Sequence, residues 1–136
     1  MKVFSRWTVW VVCVLTGVAF AQDATHVIEV TADKDSRYKI AGQGKPEITL
    51  KAGEQITLRI TANKGKSSNR DGSIHGFTLL RASNRTKVPG WNLLLQPGMQ
   101  EFHLTAPLEP GDYIVVCTVI CSDEHENMNM KLVVIP

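Results

Sequence analysis

The chain has 136 residues, 43% of them hydrophobic and 21% charged, with a formal net charge of +2 at neutral pH. That length suits one domain and little else. Charge so close to balance excludes a nucleic-acid binder of the ordinary kind, which carries a strongly basic excess.

The chain opens on an export signal at residues 1–21. Lys2 and Arg6 give it a positive start, and residues 7–21 form an apolar run of 15 residues. The run closes on Ala19-Phe20-Ala21, the small-x-small pattern after which signal peptidase cuts. A transmembrane helix needs about 20 apolar residues, so cleavage before Gln22 is expected over an uncleaved anchor. Cys13 follows Val12, where a lipid-anchored cysteine would follow a small residue, and so reads as filler of the apolar stretch. The mature chain would be residues 22–136, a periplasmic or secreted domain of 115 residues with 13 basic and 13 acidic side chains. Membrane contact would come only from an uncleaved anchor or from docking.

Short β-rich segments follow in order. Residues 26–31 are rich in Val and Ile, and residues 48–50 alternate before a turn at Gly53. Residues 56–61 alternate apolar and polar, as a strand with one wet face should. Residues 63–73, rich in Lys, Ser, Asn and Gly, predict a loop, and residues 74–80 a strand leading into a second loop through Pro89-Gly90. Residues 99–104 set Phe102 and Leu104 on one face against Glu101 and His103 on the other. Residues 113–117 and 131–135 close the set. Seven or eight short strands with Pro/Gly punctuation and no ordinary amphipathic helix predict an all-β, antiparallel sandwich or barrel.

The segment most informative about chemistry lies between the last two strands. Cys117-Thr118-Val119-Ile120-Cys121-Ser122-Asp123-Glu124-His125-Glu126-Asn127-Met128 spells Cys-x3-Cys-x3-His-x2-Met. Given Cys117, the other three residue types at those offsets arise by chance roughly once in 10^5. Two thiolates, an imidazole and a thioether are the soft and borderline donors that copper selects. A Cys117–Cys121 disulfide, the usual use of exported cysteines, would close a very small loop and leave the His and Met spacing unexplained. His75, at the start of a strand after the polar loop, is a further candidate. His103 and His26 read as surface histidines.

This spacing resembles the copper-A (CuA) loop of cytochrome c oxidase subunit II and nitrous oxide reductase. Ile74-His75-Gly76-Phe77 is similar to the histidine segment of that family, and Val88-Pro89-Gly90-Trp91-Asn92 and Pro110-Gly111-Asp112-Tyr113 are similar to its subunit II pattern. The resemblance covers about residues 74–134 and implies a cupredoxin-like Greek-key fold holding two copper ions. Cys117 and Cys121 would bridge both metals, with His75 on one and His125 on the other. Met128 would be a weak axial ligand, and the backbone oxygen of Val119 would serve the second copper. Where the family often has an acidic residue, whose side chain helps hold another metal at the subunit I boundary, this chain has Val119. It also has only the export segment where oxidase subunit II has hairpin helices, so it resembles a copper-A domain standing by itself.

The implied work is one-electron transfer, with no bond made or broken in a substrate, so the chain would not be an enzyme by itself. It would serve as a carrier or as an accessory of a terminal oxidase or other respiratory reductase. A redox protein such as a c-type cytochrome or a terminal oxidase is the expected partner. The acidic trio Asp123, Glu124 and Glu126 could steer a basic partner. Trp91 could form a patch where electrons enter, or fill the core as tryptophans commonly do. Between Arg59 and Lys87 stand seven basic residues against Asp71 alone. A copper chaperone would use the same donors, with Met130 beside Met128. A mononuclear type 1 site would use His75, Cys121, His125 and Met128 and leave Cys117 without a role. A structural zinc module would use His75, Cys117, Cys121 and His125. Hydrolytic chemistry has no serine or carboxylate constellation with a base to support it.

Overall fold

A computed structural model describes residues 25–120 and 123–136 of the chain. The export segment and Cys121 therefore lie outside the described residues. Nine strands form two facing sheets: β1 His26–Ala32, β2 Tyr38–Lys39, β3 Glu47–Lys51, β4 Gln55–Ala62, β5 His75–Arg81, β6 Lys87–Leu95, β7 Gly98–Thr105, β8 Gly111–Val116 and β9 Asn129–Ile135. One sheet runs β2-β1-β4-β7 and the other β3-β9-β8-β5-β6. The only described helix is a single 3-10 turn, His125–Asn127.

The period-2 pattern places the core. Ile28, Val30 and Ala32 of β1, Ile56, Leu58 and Ile60 of β4, and Met130, Leu132 and Val134 of β9 all point between the sheets. Outward positions stay polar, as on β1 and β4, where Glu29 lies opposite Arg59. Strand β5 differs because it lies between β8 and β6, and His75 through Leu80 are all buried. Buried on both faces, it cannot show the simple alternation of its neighbours.

The prediction of an all-β sandwich holds, with three differences. Two pairings are parallel, β1 with β4 and β3 with β9, where antiparallel partners were expected. They arise because the chain switches sheets between the paired strands. Pro89 and Gly90, expected in a loop, instead lie within the edge strand β6. Proline is tolerated on an edge, and the β5–β6 register slips between Thr78 and Leu80, opposite the Pro-Gly pair. Strand β2 is only two residues long and left no periodic signal.

Candidate metal centre

Strands β8 and β9 pair to their ends, with Val116 opposite Asn129. The whole Cys117-to-Met128 motif is thus the connection between two adjacent strands, and the Cys117 N–H donates to the Met128 carbonyl at 3.2 Å to close its base. Strand β5 pairs with β8 up to Thr78 opposite Val116. Past that point Gly76 lies alongside Cys117 and Thr118.

Gly76 makes that approach possible. Its N–H donates to Cys117 Sγ at 3.3 Å. A Cβ built on it would stand 3.0 Å from both the backbone nitrogen and the hydroxyl of Thr118, so any larger residue would force the two segments apart. On the other side of the sulfur, the Val119 carbonyl lies 3.1 Å from Cys117 Sγ. Cys117, Val119 and Met128 are all buried, and His75 is completely so.

The ring of His75 has one nitrogen in use. Nε2 lies 2.8 Å from the carbonyl oxygen of Asn63, an acceptor only, so Nε2 carries the hydrogen and donates. In the neutral imidazole Nδ1 then presents a bare lone pair, and that atom is buried with no hydrogen-bond partner among the described residues. A buried acceptor without a partner is costly and calls for an explanation. A metal ligand supplies one, since ligating histidines typically donate their second N–H to a carbonyl or carboxylate.

His125 sits on the 3-10 turn, half-buried, and its carbonyl accepts the Met128 N–H at 3.1 Å. Asp123, Glu124 and Glu126 around it are exposed. Among the described residues no three of His, Cys, Asp and Glu converge on one point. The expected ligand set includes Cys121, which lies outside those residues. The described part brings the Gly76 N–H and the Val119 carbonyl to the Cys117 sulfur, with Met128 hydrogen-bonded at the base of the loop. Donor softness, the His75 lone pair and the Gly76 cradle fit a thiophilic metal.

Trp91 is 2% exposed and its Nε1–H donates to the Thr105 carbonyl at 2.9 Å, so its ring belongs to the core and offers no surface patch. Met130 is likewise buried between the sheets. His103 is exposed beside Glu101, and His26 lies at the surface near Glu54. Sequence reasoning missed Asn63 and Tyr38, whose hydroxyl donates to the Gly76 carbonyl. The first acts through its backbone oxygen, which no residue pattern reveals. The second lies on a strand too short to read.

No protein-family model matches the chain, and no curated protein matches it at a significant level. Solved structures do. A chain of a heme-copper terminal oxidase dimer is 19% identical over 85% of this chain and 68% of its own, with a TM-score of 0.54. Auracyanin A, a "blue" copper protein of Chloroflexus aurantiacus, is 23% identical over 82% of this chain and 100% of its own, with a TM-score of 0.56. Auracyanin B is 18% identical over 85% and 92%, with a TM-score of 0.55. At these identities the likeness defines the fold: this domain is a cupredoxin-type Greek-key β-sandwich.

Proposed function

We propose that this chain is an exported copper protein that passes single electrons, with a dinuclear CuA-type centre held by His75, Cys117, Cys121, His125, Met128 and the Val119 carbonyl. The observation that carries the reading is the buried Nδ1 of His75, without a hydrogen-bond partner among the described residues, on the residue next to Gly76, whose N–H meets Cys117 Sγ. When bound by these residues, copper would supply a one-electron couple.

The rest is work of the chain itself. The Asn63 carbonyl sets the tautomer and direction of the His75 ring. The Gly76 N–H places a partial positive charge against the Cys117 sulfur, favouring its thiolate form. Paired β8 and β9 hold the two ends of the loop, which supports a scaffold fixed before a metal arrives. Because thiolates and not thiols bind, loading releases protons and strengthens with pH. The heme-copper oxidase chain of like fold supports a respiratory setting, with a c-type cytochrome or a terminal oxidase as partner.

Electron paramagnetic resonance on the copper-loaded mature protein, with copper counted per chain, tests the proposal. Two coppers and a hyperfine pattern of one unpaired electron shared by both nuclei are expected. The likeness to auracyanin A favours a second reading, a mononuclear blue site using His75, Cys121, His125 and Met128. One copper per chain with a single-nucleus pattern would establish it. A colourless Cu(I) form alone would point to copper delivery, and loading with zinc in preference to copper would sink both redox readings.

A further inference from the structure

The His75 ring is held from further away than its own hydrogen bond. After β1 the chain turns at Ser36, whose φ is 57°, and returns as β2. Asp33 opens the turn, and the Ser36 N–H donates to its carbonyl at 3.1 Å. Its carboxylate is fully engaged. Oδ1 accepts the Lys34 N–H at 2.8 Å and the Asn63 side-chain amide at 3.0 Å. Oδ2 accepts Lys39 Nζ at 2.6 Å, and that ammonium also reaches Asp35 at 2.8 Å.

Asn63 is gripped twice as a result. Its side chain is held by Asp33 and its own N–H donates to the Ala32 carbonyl at 2.9 Å. The remaining polar group, its carbonyl, is the one that receives the His75 Nε2–H. Fixing residue 63 at both points fixes where that carbonyl aims, and so which way the opposite edge of the imidazole faces. The same hairpin holds the neighbouring residue as well, through the Tyr38 hydroxyl on the Gly76 carbonyl.

We propose that Asp33 is a positioning residue for the Nδ1 edge of His75, acting through Asn63. The proposal rests on the copper reading for what Nδ1 meets, but not for how the ring is held. Hydrogen bonds from Lys39 first, then Asn63 and the Lys34 N–H, keep the Asp33 carboxyl down at about 2, so the anion is present throughout the neutral range.

Two variants of the mature chain test it. Asp33→Ala deletes both oxygens; Asp33→Asn keeps an Oδ1 that still accepts from Lys34 and Asn63. In metal-free protein, nuclear magnetic resonance follows solvent exchange of the His75 Nε2–H. Asp33→Ala is expected to lose protection of that proton and Asp33→Asn to retain it. In copper-loaded protein, Asp33→Ala is expected to lose roughly tenfold in metal affinity, the lower end for outer-sphere partners, and to shift in reduction potential, while Asp33→Asn keeps the parent's affinity and potential. Should Asp33→Ala not fold, Asn63→Ala removes only the side-chain amide that Asp33 holds and should show the same loss of protection. Unchanged exchange in Asp33→Ala or Asn63→Ala would overturn the proposal. If the parent binds no copper the copper reading falls, and the exchange measurement alone decides whether Asp33 positions the ring.

Discussion

At Gly76 one absent carbon decides how closely two segments meet. Gly76→Ala would bring a methyl to 3.0 Å from Thr118 backbone, which must move. A cost of about 1–3 kcal/mol is expected for such overpacking, and the Gly76–Cys117 bond should lengthen. Chemical denaturation and copper affinity, measured on the same variant, check both; an unchanged affinity would mean that the cradle is not part of the site. Met128 asks a different question because it is buried and aligned with the core. Met128→Leu nearly conserves volume and should cost less than about 1.5 kcal/mol. Loss of the thioether should still shift the reduction potential and the visible spectrum. If metal affinity and potential both stay as they were, Met128 is core packing and the zinc-like reading gains. Residue types at fixed offsets made Cys117, His125 and Met128 legible from sequence. The Nδ1 lone pair of His75 was not, because it depends on a carbonyl 12 residues away.

At the scale of elements, the alternating strands were read well and the irregular ones were not. Strand β4 buries Ile56, Leu58, Ile60 and Ala62 at every second position, with Thr57 also buried, and its apolar period alone located it. Strand β6 carries Pro89 and a Gly90 at φ 81°, both turn signals, and only its place on the sheet edge makes them compatible with pairing. The β1–β2 hairpin makes an acid-stability prediction of its own. Asp33 has its pKa lowered to about 2 in the fold, chiefly by Lys39. A depressed carboxylate contributes stability above its ordinary pKa and loses it as pH falls through the folded value. Asp33→Asn should therefore be less stable than the parent at neutral pH, with the gap closing between about pH 4 and pH 2. Urea midpoints across that range check it, and a gap that stays constant with pH would refute the role of the Lys39 pair.

For the whole molecule, the fold gathers opposite charges around one end. Ser67 Oγ donates to the Ile120 carbonyl at 3.1 Å, which sets the polar loop, with exposed Lys64, Lys66 and Arg70, against the Cys117–Met128 connection. Asp123, Glu124 and Glu126 are exposed further along that connection, and Ile120 is 67% exposed between them. Electron transfer to a basic partner steered by the acidic trio should slow as ionic strength rises. Stopped-flow rates against salt measure this: a flat response removes the steering, and a rise would assign the docking to the basic loop.

Sequence by itself determined the strand-rich class and the order of Cys, His and Met in the Cys117–Met128 segment, because period and spacing are local properties of the chain. Only the tertiary structure decided that β1 and β4 run parallel, that Trp91 and Met130 belong to the core, that Gly76 meets the Cys117 sulfur, and that His75 has one nitrogen tied to Asn63. Those outcomes depend on which strands become neighbours. Neighbours are chosen by burying both sheets' apolar faces together, a balance struck over the whole chain and written in no single stretch of it.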